Sequence, residues 1–307
     1  MPVTHESTSP AELAACRSAA SPCAACTKRA RISPIASSPI HAYGSTPRSG
    51  WVPRRLVHEP FAPTFGVELE TAAPYGDLSD LTGEELAAAA APRGHWHAMH
   101  DGSVSGPELT SQPGSLAYWR SIRPSVASMM RTAIHGGMRS HDAPRGHASP
   151  ESCSMHCNIG RDGFADAAHL GRFIRLATAN PRWTTRLAQR THDQVRSWAN
   201  FTRFPDAAAC DRLARDWWTN DYAYTGHGSA VNLENPGRVE FRVPRGTLRV
   251  DRFYAKLEWV ASMVEYTRVA SARPTPGAYC DWVVAHRSEY PEIVEMLAEL
   301  MPARVAA

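Results

Sequence analysis

The chain has 307 residues, 43% hydrophobic and 21% charged, with a formal net charge of +3. That length suits one large domain or two ordinary ones, and the small, dispersed charge offers no basic stripe for nucleic acid. No apolar run reaches the ~18 residues that a membrane-spanning helix needs, so no membrane partner is expected.

Residues 1–60 are rich in Ala, Ser, Pro and Arg and read as a flexible arm. Cys23 and Cys26 form a CxxC within it, which is either half of a zinc site or a pair of incidental thiols. No charged-then-apolar leader opens the chain, and seven cysteines lack a disulfide framework, so a cytoplasmic location is expected. The globular part is expected over 61–307.

Phe65–Thr71 reads as a strand. Side chains alternate along a strand, so Glu68 and Glu70 share one face, with Val67 and Leu69 on the other. Two carboxylates ~5 Å apart repel by roughly 3 kcal/mol at an effective dielectric near 20. Either solvent or a cation between them relieves that cost. Thr82 and Glu85 have capping-box spacing and predict a short helix that stops by Pro92. His95 and His97 are expected on one strand face with His100 on the other, and Asp101-Gly102-Ser103 turns the chain into the next strand. That strand places Glu108, Thr110 and Gln112 together.

The 115–134 stretch is helical and interrupted at Pro124, which predicts either a kink or two helices. Residues 139–150 form a polar loop. In 152–159, Ser154, His156 and Asn158 oppose Cys153, Met155, Cys157 and Ile159. Two helices are predicted over 165–200, the second carrying Trp183, Leu187, Gln189 and Arg190. A segment with Trp217-Trp218 leads to a strand placing Asn232 opposite Val231 and Leu233. After Asn235-Pro236-Gly237, a hairpin-type turn, Arg238, Glu240 and Arg242 share one face and Val239, Phe241 and Val243 the other. Asp251 is the expected N-cap of a long helix, and one last helix is expected over about 279–300.

Each of these strands has one apolar face and one face of ligand-type residues. That pattern predicts an α+β fold: a curved antiparallel sheet with helices packed on one face and the other face open. Carboxylates gathered on the open face suit a hard cation such as Mg²⁺, and an arginine among them suits a phosphate.

The segments Phe65–Glu70, His100–Val104 with Glu108–Pro113, Cys153–His156, Leu187–Arg190, and Ala230–Leu233 followed by Val239–Arg242 resemble, in that order, the amidoligase family. It belongs to the superfamily of glutamine synthetase and glutamate–cysteine ligase. The resemblance covers roughly residues 64–270. It implies a glutamine synthetase-like catalytic domain that uses ATP and Mg²⁺ to join a carboxylate to an amine through an acyl phosphate. The implied metal ligands are Glu68, Glu70, Glu108 and Glu240. Arg242 would hold ATP phosphates, and Arg190 the nucleotide or a substrate carboxylate. His156 would contact a phosphate or a metal, with Asn158 and Asn232 also on the cofactor side. Asp101 would be an outer ligand or serve only the turn. The implied substrate is a small molecule or peptide. Two positions depart from the family pattern: Asn158 replaces the second His of a His-x-His, and His227 stands about where an Arg is common.

Two other functions use the same residues. A metal-dependent hydrolase could use the carboxylates with His156, but no HExxH motif is present and Arg242 favours phosphate. A non-catalytic nucleotide or metal sensor would need only binding.

Overall fold

The computed structural model describes residues 53–72, 95–140 apart from 102 and 136, and 153–302 apart from 272. Cys23 and Cys26, the helix expected after Thr82 and most of the 139–150 loop lie outside these residues.

Six strands form one sheet: β1 (Phe65–Glu70), β2 (Trp96–His100), β3 (Pro107–Ser111), β4 (Met155–Gly160), β5 (Val231–Asn232) and β6 (Arg238–Phe241). The order across the sheet is β2-β3-β1-β4-β6-β5, and every neighbouring pair is antiparallel. β1 therefore lies in the interior, between β3 and β4. Glu70 sits opposite Glu108, and Glu68 opposite both Thr110 and His156. Glu240 sits opposite Asn158 on one side and Asn232 on the other.

The described helices are α1 (Leu116–Ser121), α2 (Arg123–His135), α3 (Ala167–Thr178), α4 (Pro181–Leu187), α5 (His192–Trp198), α6 (Ala207–Asn220), α7 (Val250–Val269), α8 (Pro276–Ala285) and α9 (Pro291–Leu300). Helix α7 is buried almost all round its circumference. It runs behind the sheet: Phe253 meets Trp96 of β2 at 6.3 Å, and Trp259 meets Phe241 of β6 at 5.1 Å between ring centroids. Phe173 of α3 also packs on Phe241. Val67, Leu69, Cys157, Val239 and Phe241, strand residues expected to face a core, are buried in one cluster with these helices. No described helix is long and apolar enough to cross a membrane.

At Pro124, where either a kink or two helices was expected, there are two helices: α1 ends at Ser121 and Pro124 sits in the first turn of α2. Several other elements differ from expectation, each for a local reason. The 165–200 stretch holds three helices. Helix α4 stops at Leu187 because Gln189 turns left-handed, with φ of 59°, so Gln189 and Arg190 leave the helical path. Thr191 then starts α5 with a capping box. Trp217 and Trp218 belong to α6, started by Asp206 and ended by Asp221 at φ of 56°. Arg249, not Asp251, occupies the N-cap of α7; Asp251 lies in its first turn and pairs with Arg249 at 2.7 Å. The last helix divides in two because Pro291 begins a new first turn.

The chain just before β1 is already tied to the sheet. Arg54 donates its backbone N–H to Pro113 and accepts from Ser115, and its side chain donates to Gln112 Oε1 at 2.9 Å. Arg55 pairs with Asp162.

Candidate functional site

A cleft of about 1370 Å³ opens on the face of the sheet opposite α7. Strand alternation places Glu68, Glu70, Glu108, His156, Asn158, Asn232, Glu240 and Arg242 along it. Glu70, Glu108, His156, Glu240 and Arg242 are buried despite their polarity, and Glu68 is half-buried.

His156 is the hub. Its Nδ1 lies 3.2 Å from Glu68 Oε2 and 3.3 Å from Glu240 Oε1, and its Nε2 lies 3.6 Å from Glu70 Oε1. Burial, then the nearby Arg242, holds its pKa well below the ordinary imidazole value, so the ring is neutral. A neutral imidazole has one N–H and one lone pair. It cannot donate to carboxylates on both sides, and Nε2 has no hydrogen-bond partner.

Glu240 is held on both oxygens. Oε1 receives Arg242, and Oε2 receives Asn232 Nδ2 at 2.8 Å and Asn235 Nδ2 at 3.1 Å. Asn158 donates Nδ2 to Glu68 Oε1 at 2.8 Å. A carboxylate oxygen only accepts, which fixes that amide and turns Oδ1 away, where it is buried without a partner.

Glu70 takes the Ser154 N–H at 2.5 Å. Burial raises its pKa to about 7, against the pull of that N–H and of Arg190. Burial, with Glu68, Asp101 and Glu70 around it, pushes Glu108 up to about 10. Asp101 is pushed up by burial but held below its usual value by the Glu108 hydrogen bond and the Ser103 N–H. Glu108 therefore keeps a proton that an added cation would displace.

The donors fall into two groups, Glu68 with His156 and Glu240, and Glu70 with Asp101 and Glu108. Within each group the ligand atoms lie within 4.8 Å of one another. The residues present fit divalent cations: oxygen-rich donor sets, a neutral imidazole with a free nitrogen, and excess buried negative charge. The four glutamates expected as ligands split two and two, with Asp101 and His156 as third members. Asp101 is thus grouped with the donors and also serves the turn.

Arg190 is placed differently from expectation. It is 7% exposed and off the cleft wall, donating to Ser154 Oγ and to the Cys153 carbonyl at 3.4 Å. Its Nε and Nη1 have no partner, and burial lowers its pKa to about 10, which leaves it cationic. His95 does not share a face with His97, because β2 begins only at Trp96. Its ring packs among Trp96, Tyr118 and Trp119. Asn235 was legible only as a turn residue; nothing in its spacing marks the contact to Glu240.

No family model and no curated protein matches this sequence. Among solved structures, the chain is similar to one described as the complex between prokaryotic ubiquitin-like protein Pup and its ligase PafA. The TM-score is 0.37 and the identity 13%, and the match covers 80% of this chain and 64% of that one. A likeness of that size carries no residue assignment.

Proposed function

We propose that this chain is an ATP- and Mg²⁺-dependent carboxylate–amine ligase acting on a small molecule or peptide. The observation that carries the reading is the pair of adjacent donor groups on one open sheet face, with Arg242 beside them on the same cleft, bound to Glu240. Such a face collects buried carboxylates whose charge a bound cation would balance in place of a proton. The cleft also exceeds the ~300–1,000 Å³ of a single-ligand pocket, so it has room for nucleotide and substrate together.

In this reading the substrate carboxylate attacks the terminal phosphorus of ATP, ADP leaves, and the amine then displaces phosphate from the acyl carbon and loses a proton. The bound Mg²⁺ would offset the repulsion between carboxylate and phosphate oxygens. Glu68, His156 and Glu240 would hold one ion, and Glu70, Asp101 and Glu108 the other. Arg242 is fixed by Glu240 and would face the transferring group as a preset positive charge. Asn232 and Asn235 keep Glu240 from rotating. Asn158, in place of an ionisable residue, orients Glu68 and adds no charge. The hydrolase reading lacks a use for Arg242 beside Glu240.

The test is a thermal melt with Mg²⁺ or chelator, each with and without ATP. A ligand at a hundred times its dissociation constant adds about 2.7 kcal/mol. The expected result is a midpoint rise of roughly 5 °C that needs both ATP and Mg²⁺ and is lost in Glu68→Gln. A rise with metal alone, unaffected by ATP, would sink the ligase reading.

A further inference from the structure

Arg190 is a buried cation that does not line the cleft, yet it is tied to a residue that does. Gln189, just before it, holds a φ of 59°, a left-handed turn that costs any side chain other than glycine backbone energy. That turn aims Arg190 at the start of β4. Its Nη2 donates to the Cys153 carbonyl at 3.4 Å and to Ser154 Oγ. The Cys153 carbonyl also accepts from the Gly246 N–H at 2.8 Å. A Cβ on Gly246 would fall 3.1 Å from the carbon and the oxygen of that carbonyl, so glycine allows this approach.

The other side of the same peptide unit is the Ser154 N–H, which donates to Glu70 Oε2 at 2.5 Å. Glu70 returns its own N–H to the Ser154 carbonyl at 3.0 Å. A peptide unit is rigid and planar, so fixing its carbonyl fixes the direction of its N–H. A carbonyl that accepts hydrogen bonds also polarises that N–H and strengthens the bond it makes. With Oε2 held in this way, Glu70 Oε1 is left on the side of His156 Nε2, 3.6 Å away. An uncharged residue could tie β4 to the turn between α4 and α5 without leaving a guanidinium Nε and Nη1 buried and unpartnered among the described residues. Among charged groups, Glu70 acts on Arg190 most strongly.

We propose that Arg190 is a positioning residue for the cation held by Glu70, Asp101 and Glu108: it clamps the Cys153–Ser154 peptide, and that peptide fixes Glu70. This rests on the two-cation reading under the proposed function. The resemblance implies that Arg190 contacts the nucleotide or a substrate carboxylate; the geometry instead places it one residue behind the ligand.

The test measures Mn²⁺ binding to the full chain without nucleotide, by calorimetry and by electron paramagnetic resonance of the free ion. The variants are Arg190→Met, Ser154→Ala and the two combined. The wild type is expected to bind two ions. Arg190→Met weakens one of them about tenfold or more and spares the other. Ser154→Ala removes Oγ but keeps the N–H, and it weakens the same ion. The combined variant loses no more than Arg190→Met alone, because both act through one contact. The loss vanishes on a Glu108→Gln background, which already lacks that ion, and persists on Glu68→Gln. Wild-type Mn²⁺ affinity in Ser154→Ala, which removes a single buried atom, or in a folded Arg190→Met overturns the proposal and leaves Arg190 a structural tie. Additive losses overturn it too. So does an ATP affinity that falls in chelator while Mn²⁺ binding is unchanged, which puts the arginine on the ligand. A wild type that binds no Mn²⁺ removes the two-cation reading itself, and the proposal with it.

Discussion

Buried charge on the helix side of the sheet and buried charge on its open face follow different rules. On the helix side the buried Glu258 and Lys256 find their partners within the chain, and the unpartnered polar atoms there include the indole N–H groups of Trp217 and Trp259. Glu258 of α7, with no exposed surface, accepts from Arg120 at 2.7 Å and from the N–H groups of Glu292 and Ile293, which start α9. Lys256 donates to the Arg245 carbonyl at 2.8 Å. On the open face, His156 Nε2, Asn158 Oδ1 and Arg242 Nε are buried with no partner. A fold does not gain from leaving polar atoms buried and unpaired, at about 1–3 kcal/mol each. For the ionisable groups Glu258 and Lys256 on one side and His156 and Arg242 on the other, the difference separates groups that hold the protein together from groups kept ready for a ligand.

Paired substitutions would break that contrast most directly. Glu258→Ala is expected to cost about 3 kcal/mol of stability, because it uncaps α9 and strips Arg120 of its partner. Ligand binding in the surviving folded fraction should be unchanged. Glu240→Gln should do the reverse. ATP turnover is expected to fall roughly 100-fold or more, with a metal-free denaturation midpoint that drops less than in Glu258→Ala, because the carboxamide oxygen still accepts from Arg242. Equilibrium denaturation and a phosphate-release assay on both variants decide the matter. If Glu240→Gln destabilised the chain as much as Glu258→Ala and spared turnover, the open face would be structural.

A smaller effect follows from pH. His169 is fully buried; its Nδ1 accepts from the Ala165 N–H at 3.1 Å, so Nε2 carries the proton toward the Val264 carbonyl at 2.9 Å. Burial, aided by Arg268 and Arg172 against the Val264 hydrogen bond, lowers its pKa to about 4. Burial does the same to His95, also to about 4. A base with a lowered folded pKa binds fewer protons folded than unfolded between pH 6.5 and 4. Stability is therefore full above pH 6.5 and falls as pH drops through that window, by about 3 kcal/mol for a shift of this size. Glu70 and Glu108, raised to about 7 and about 10, act in the opposite sense in any variant, so the decline is read as the difference between wild type and His169→Gln in denaturant melts from pH 7.5 to 5. An unchanged slope would mean that His169 is charged in the fold.

How much was legible beforehand depended on periodicity. Strands with strict alternation, such as Val67–Glu70 and Val239–Arg242, showed both their core side and their site side. The cross-strand register did not show, because nothing in Glu68 specifies His156 as its neighbour. Turn chemistry was the other blind spot. Gln189 is an ordinary helix former, and only tertiary context puts it at φ of 59° and redirects Arg190 toward Ser154. Asn235 carried a turn signal that hid its bond to Glu240. Asp251 looked like a cap, but Arg249 took that position.

The smallest expected effect is also the sharpest test of the two faces. Gly66 lies on the cleft side of β1, opposite Asn158. A Cβ there would meet nothing closer than Asn158 Cβ at 3.6 Å, which is ordinary contact. Gly66→Ala should therefore leave the fold intact, or steady it by about 0.5 kcal/mol through lost unfolded-state freedom. The same methyl raises the floor of the cleft, so nucleotide or substrate affinity should weaken by roughly 3- to 10-fold, about 1 kcal/mol. Gly106 provides the control. Its Cβ would fall 2.6 Å from the Thr71 carbonyl oxygen, so Gly106→Ala should cost about 1–3 kcal/mol of stability by forcing backbone apart. Two identical chemical changes then separate along the line that divides the open face from the packed structure around it. Should Gly66→Ala lose stability like Gly106→Ala while binding stays unchanged, the space above β1 is not where a ligand lies.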